Sequence, residues 1–338
     1  MTITRRRKII YGLLTLAMVS GLTVLALIVA DVYVHWRTQH QAGVNVWGYR
    51  GDPAPRKQPG ESRVVMLGGS TTFGWGLPSH ESIPAFLEHK LRDAMPGRRF
   101  SVINLGAPGQ GAYGFVFDLV DFAHLDYDIV ILYEGYNDLP FQPLGLNNFL
   151  LWRRQSPVFR WTGYHPILPI VLREKATAML QGGDINAAQV RFEPGLATRA
   201  TASALRAAAT LTDGVTGKFG KLSEMPPAPA VDDQCIETWK RYCGSVREAV
   251  EWARERGKAV IYVTQPFKSD AHVEQQANVA AMLRARFDGD RDVQYVNLGR
   301  VIDLSDPAVA YDGLHLVASG NATIADHLLR PVIEAARP

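Results

Sequence analysis

The order of apolar and polar positions divides the chain into three textures. The first is an uncharged run from Ile9 to Ala30. At 1.5 Å per helical residue it extends about 33 Å, enough to cross the roughly 30 Å hydrocarbon layer of a bilayer. The second begins at residue 63, where short β-rich runs, each closed by Gly or Pro, alternate with amphipathic stretches. The runs are RVVMLG (63–68), FSVINLG (100–106), YDIVILYEG (127–135), KAVIYVTQP (258–266) and VQYVNLG (293–299). Their near-continuous apolar character predicts buried parallel strands. Helical patterns fall between them at 83–95, where Phe86, Leu87 and Leu91 share a side, and at 112–125, 237–257 and 273–289. A last helix over 318–336 completes the alternation, with a kink expected at Pro331. Strands alternating with helices predict a doubly wound α/β sheet, which places ligands at the carboxyl ends of its strands.

The third texture is irregular. Residues 31–62 carry Gly43, Gly51, Pro53, Pro55, Pro59 and Gly60 and read as a linker leading into the domain. Residues 140–232 hold no strand pattern, only short helical ones and the Pro-rich run EMPPAPAVDD (224–233), which is too much chain for a simple crossover. They predict an insertion or lid. Its first part mixes Phe141, Phe149, Trp152, Phe159, Trp161 and Tyr164 with Arg153, Arg154 and Arg160, a combination suited to a membrane interface, a sugar-binding wall or an inward-packed helix. The resulting plan is a basic N-terminus (1–8), a span (9–30), a linker (31–62) and one α/β domain (63–338) with the insertion.

Charge orients this plan. Arg5, Arg6, Arg7 and Lys8 precede the apolar run and are expected to stay in the cytoplasm, which sends everything after Asp31 to the periplasmic or extracellular side, with Tyr33 and Trp36 at the interface. A cleaved secretory signal has a similar start, but no A-x-A-like site follows and the run is longer than a signal core, which favours a retained anchor. The net charge of +3 over 338 residues, with basic groups scattered, marks no nucleic-acid surface. Export permits a bridge between Cys235 and Cys243, yet positions eight apart on a straight helix lie about 12 Å from each other. The pair therefore reads either as a disulfide with a loop between or before its members, or as two buried thiols.

Candidate chemistry starts at VVMLGGSTTFGWG (64–76), which places Ser70 just past a predicted strand. Gly69 to Gly74 has the spacing of a P-loop, but Trp75 stands where its lysine belongs, and the glycines do not fit a dinucleotide fingerprint. A helix N-cap or a nucleophile remains. A nucleophilic serine needs a base, an orienting group and oxyanion donors. YDGLHLVASGN (311–321) supplies Asp312 and His315 at a spacing that lets the carboxylate accept Nδ1–H and leaves Nε2 for Ser70. INLGAPGQG (103–111) exposes backbone N–H groups after a strand, and YEGYNDL (133–139) delivers Asn137 after another.

These four blocks, in this order, resemble the SGNH (GDSL-type) hydrolase family. The match runs through Gly68-Gly69-Ser70-Thr71-Thr72, with Gly69 where many members carry Asp, then N-x-x-x-x-G at Asn104 to Gly109, G-x-N-D at Gly135 to Asp138, and D-x-x-H at Asp312 and His315. The resemblance implies a flavodoxin-like three-layer α/β/α sandwich with a mainly parallel central sheet. It further implies a Ser70–His315–Asp312 triad, an oxyanion hole of the Ser70 and Gly109 amides and the Asn137 side chain with Gly106 in reserve, and a loop-orienting role for Asp138. The expected activity is that of an exported, membrane-anchored serine esterase acting on a carbohydrate or lipid ester, including deacetylation of envelope or secreted polysaccharide. O-acyl transfer to a polysaccharide uses the same triad, and a non-catalytic module of polysaccharide-export machinery would keep the same fold. No metal or cofactor is implied, since H-E-x-x-H, paired C-x-x-C and calcium-loop patterns are absent.

Overall fold

The computed structural model describes residues 4–139, 153, 156–180, 196–217 and 230–337, with the backbone alone over 212–217. Phe141, Phe149, Trp152, Arg154 and the Pro-rich residues 224–229 lie outside them. By contact the chain forms two compact units. One combines 1–38 with 156–222 and the other combines 39–155 with 223–338.

The larger unit is built on five strands: β1 (Glu61–Gly68), β2 (Arg99–Asn104), β3 (Ile129–Tyr133), β4 (Ala259–Val263) and β5 (Val293–Val296). All neighbours pair in parallel in the order β2-β1-β3-β4-β5. Val64 of β1 faces Val102 on one side and Ile129 on the other, so the central strands are hydrogen-bonded along both edges. Each expected strand is present; β1 begins two residues before its run, at Glu61, and the other four are shorter than theirs.

Alternation along these strands feeds two cores. Val65, Leu67, Val130, Leu132, Val260 and Tyr262 point to the layer made by the helices Phe115–Asp121, Lys240–Arg254 and Asp270–Phe287. Val64, Met66, Ile129, Ile131, Ile261 and Val263 point the opposite way, to Ile83–Ala94 and Ala318–Ala335. Both faces are therefore dry, and each fully buried Val, Leu or Ile contributes roughly 1.5–3 kcal/mol. The result is the expected three-layer α/β/α sandwich. Successive connections leave β1 toward β2 on one side and β3 on the other, making the rim between the β1 and β3 ends a topological switch point.

Two details differ from the sequence expectation. The helix over 112–125 is broken: a 3₁₀ turn (Ala112–Gly114) leads into the α-helix Phe115–Asp121, and a second (Ala123–Leu125) ends at Asp126 with φ 51°. A left-handed residue cannot continue a helix, so the pattern stops there. The first helix covers Arg5–Thr38, continuing past the apolar run into the expected linker. Among the described residues it is the one helix long and apolar enough to cross a membrane, and its Leu13, Leu14, Leu16 and Met18 are exposed.

The smaller unit gathers that helix with Pro157–Thr162, Leu168–Leu180 and Leu196–Gly217. Asp31 is buried at the foot of the long helix. It accepts hydrogen bonds from the Tyr164 hydroxyl and from the amides of Ile167 and Leu168, where Leu168–Leu180 begins. A carboxylate there satisfies donors that a helix start leaves free and complements its dipole.

Cys235 and Cys243 form a disulfide. Cys235 precedes the turn Glu237–Trp239 and Cys243 sits in Lys240–Arg254, so the change of direction before the helix brings their Cα atoms to 6.5 Å. Closing so short a loop stabilises by about 2–3 kcal/mol in the chain-entropy account. Cys243→Ser is expected to lose about that much, read as a fall in urea midpoint that added reductant reproduces in the wild type.

Candidate active site

β1 delivers Ser70 to the switch point. The strand ends at Gly68, where a Cβ would overlap the Tyr133 carbonyl, so only glycine lets β1 and β3 approach there. Ser70 opens the four-residue helix Ser70–Phe73, which Gly74 terminates at φ 77°. Its hydroxyl lies 2.8 Å from His315 Nε2, although 245 positions separate the two. On the other side of the ring, Nδ1 is 2.7 Å from Asp312 Oδ2. A carboxylate accepts, so Nδ1 carries the proton, Nε2 is the acceptor and Ser70 donates.

The Asp312 carboxyl is fixed by its own loop. Oδ1 accepts from the amides of Leu314 at 3.0 Å and His315 at 2.7 Å. Partial burial pushes this carboxyl up, but the His315 ring together with the His315 and Leu314 amides outweighs burial and holds it below the usual carboxylate range. Tyr311 braces the same loop: its ring stacks on His315 at 5.9 Å and 18°, and its hydroxyl donates to the Trp75 carbonyl at 2.9 Å. Gly76 at φ 82° makes room, because a Cβ there would lie 2.6 Å from that hydroxyl.

The β2 loop separates the two candidate glycines. The Gly106 amide is already donated to Asn104 Oδ1 at 2.9 Å, and a Cβ at 106 would overlap the Ser70–Phe73 helix backbone. Gly106 is packing, not a free donor. Gly109 has φ 73° and open space around it. Asn104 ties the loop to the Ser70–Phe73 helix by donating to the Thr72 carbonyl at 2.9 Å.

β3 delivers the third block. Asn137 Nδ2 donates to the Gln110 carbonyl at 3.0 Å and reaches Glu134 Oε1 at 3.3 Å. It stands so close to Gly69 that a Cβ on residue 69 would overlap it, which places this amide beside Ser70. Asp138 accepts from the Ala112 amide at 2.8 Å, pinning the glycine loop to the end of β3; burial pushes its carboxyl up to about 7.

Several residues that sequence reasoning did not single out hold this arrangement. Gln265, after β4, donates to Thr71 Oγ1 at 2.7 Å and accepts from the Tyr136 amide at 3.0 Å, linking the Ser70–Phe73 helix to the Asn137 turn. Gln110 supplies the carbonyl that Asn137 uses. Glu134 is fully buried behind Asn137. The sequence marks it only as an ionisable residue directly after the five apolar positions Ile129 to Tyr133, which does not show that it is buried.

Comparison with known proteins gives structural similarities alone. No protein-family model matches the sequence, and no curated protein matches it. Among solved structures, the chain is similar to a protein from Desulfitobacterium hafniense described as lipolytic and of the G-D-S-L family (12% identity, TM-score 0.40, covering 80% of this chain and 98% of that one). It is also similar to a two-domain esterase active on acetylated mannans, crystallised with mannopentaose (13%, TM-score 0.44, 83% and 52%). A third similarity is to a catalytic mutant of Axe2, an acetylxylan esterase from Geobacillus stearothermophilus (13%, TM-score 0.43, 80% and 94%).

Proposed function

We propose that this chain is a membrane-anchored serine esterase of the SGNH type that removes acyl groups from an exported glycan. The observation that carries the reading is the Ser70–His315–Asp312 relay at the switch point, with hydrogen-bond distances of 2.8 and 2.7 Å. Ser70 Oγ attacks the ester carbonyl while His315 Nε2 takes its proton, and Asp312 stabilises the imidazolium. The tetrahedral oxyanion is met by the Ser70 and Gly109 amides and by Asn137 Nδ2. Collapse expels the alcohol, protonated by His315, and leaves an acyl-serine. Water, deprotonated by the same ring, then releases the acid and restores Ser70.

Two observations support the location and the substrate class. The long exposed apolar helix with Arg5, Arg6, Arg7 and Lys8 at its start suits an anchor whose N-terminus is cytoplasmic, and the Cys235–Cys243 disulfide suits an oxidising compartment beyond the membrane. Trp75 and Tyr311 are 40% and 46% exposed beside the serine and histidine, offering flat apolar faces on which a sugar ring stacks.

The test uses the full-length chain in detergent with acetylated glycans, p-nitrophenyl esters of increasing chain length and a fluorophosphonate probe. Expected results are acetate release and labelling at Ser70. Activity confined to long acyl chains would replace the glycan with a lipid, and transfer of the acyl group to added glycan would replace hydrolysis with transfer. Trp75→Ala is expected to raise KM for the glycan about 5- to 20-fold and to leave p-nitrophenyl acetate turnover within about 2-fold.

A further inference from the structure

Glu134 is 0% exposed, and the triad chemistry gives it no role. Its Oε1 accepts from the Gly135 amide at 2.9 Å and the Asn137 amide at 3.1 Å, and lies 3.3 Å from Asn137 Nδ2. Both nitrogens of Asn137 therefore converge on one carboxyl oxygen. The other oxygen, Oε2, faces Gly69, and a Cβ on residue 69 would overlap it as well as Asn137 Nδ2. The position directly before the nucleophile is thus closed to any side chain, including the Asp carried there by many proteins the sequence resembles. The carboxyl that fills this space comes from the end of β3 instead.

We propose that Glu134 is the positioning residue of the oxyanion site, its buried carboxyl holding the Asn137 turn and side-chain amide against the vacancy that glycine leaves at position 69. This inference rests on the esterase reading and deepens it. Asn137 Nδ2 has two hydrogens. The 3.0 Å bond to the Gln110 carbonyl holds one, and the longer contact to Glu134 parks the other until a substrate oxygen takes it.

The protonation state follows from the surroundings. Burial first, and then the neighbouring Asp138 carboxyl, push Glu134 up to about 8 against the amides of Gly135, Asn137 and Gly69. Tyr133 and Tyr136 flank it on its own segment. The Tyr242 hydroxyl donates to its main-chain carbonyl from Lys240–Arg254, and His272 of Asp270–Phe287 abuts Gly135. A neutral carboxyl serves the site better than an ionised one. An anion beside Asn137 would oppose the negative charge developing on the substrate oxygen and compete for the same N–H.

The sign for stability is equally definite. A carboxyl whose folded value is raised stabilises the fold fully below its unfolded value near 4.5, and that contribution is lost as pH rises toward 8. Glu134→Gln keeps the acceptor and cannot ionise, so its melting temperature should gain on the wild type progressively up to pH 9.

The experiment compares wild type, Glu134→Gln, Glu134→Ala, Asn137→Ala and the Glu134→Ala/Asn137→Ala pair as full-length protein, measuring kcat, KM and fluorophosphonate labelling rate from pH 6 to 9.5. Glu134→Ala is expected to lower kcat and labelling about 10- to 100-fold with KM within about 2-fold. The double variant should be no slower than Asn137→Ala by more than about 3-fold. Glu134→Gln is expected to stay within about 3-fold of wild type near pH 6.5 and to lose the fall in kcat that the wild type shows above pH 8. Asp138 titrates in both but interacts with Glu134, so the two profiles are also compared in an Asp138→Asn background, where their difference reads Glu134 alone. Effects that multiply in the double variant, an unchanged alkaline fall in Glu134→Gln, or wild-type kcat in Glu134→Ala overturn the role. A wild type that neither labels nor hydrolyses overturns the esterase reading and this role with it. Should Glu134→Ala fail to fold, the Glu134→Gln profile and its melting curve decide.

Discussion

Ser70→Ala is expected to reduce ester turnover by about 10⁴- to 10⁶-fold and to abolish fluorophosphonate labelling. The variant removes the oxygen that His315 Nε2 faces at 2.8 Å and leaves the strand, the four-residue helix and Gly74 untouched. Its stability is expected to stay within about 1 kcal/mol of wild type, because Ser70 lies at the crevice rather than in either core. His315→Ala is expected to cost nearly as much, and the double variant little more, since nucleophile and base act as one unit. Residual activity of Ser70→Ala above a hundredth of wild type, with the melting curve unchanged, would mean that another group attacks the ester. The measurement is kcat/KM on the best ester from the panel, with labelling as a control for contaminating hydrolases.

Asn137→Ala carries the second large effect. Removing one oxyanion donor is worth about 3 kcal/mol where it has been measured, so kcat should fall by about 10²- to 10³-fold while KM stays within about 3-fold. The split matters, because a residue that merely shaped the pocket would move KM as well. Ser70 remains activated by His315 in this variant, and slow labelling should persist. The local cost falls on the Gln110 carbonyl, which loses a 3.0 Å partner, and on Glu134 Oε1, which loses a 3.3 Å contact but keeps the Gly135 and Asn137 amides. Wild-type kcat in Asn137→Ala would leave the oxyanion to the Ser70 and Gly109 amides alone.

The parts of the molecule legible in the sequence are those whose physics is local. Val64 to Leu67 and Ile129 to Leu132 are apolar at every position because both faces of a central parallel strand are covered, and that shows directly as an uninterrupted run. The four blocks at Ser70, Gly109, Asn137 and Asp312/His315 were legible because each follows a strand or precedes a helix, with glycine where the backbone must turn. The 112–125 segment misled because apolar spacing reports which side is buried and not whether the backbone can continue, and the turns before Phe115 and after Asp121 interrupt it. Cys235 and Cys243 stayed ambiguous because their separation depends on where the helix begins, a matter of one turn.

Glu134 was missed for a different reason. Glutamate after a strand ordinarily faces water, and nothing in ILYEG distinguishes a solvated carboxyl from one enclosed by Gly69 and the Asn137 turn. The same holds for Gln265, which joins Thr71 to Tyr136 across the sheet rim, and for Tyr311, which stacks on His315.

By itself the amino-acid order determined the α/β class, the five strands, the apolar first helix and the residue types at the crevice, because side-chain period and backbone permissiveness are properties of neighbours in the chain. The tertiary structure alone decided that Ser70 and His315 meet across 245 positions, that Gly106 is occupied while Gly109 is open, and that the Glu134 carboxyl, just after β3, fills the space beside Gly69. Those outcomes depend on how distant chain ends stack at one edge of the sheet, and separation in space after several reversals leaves no period or spacing in the sequence to read.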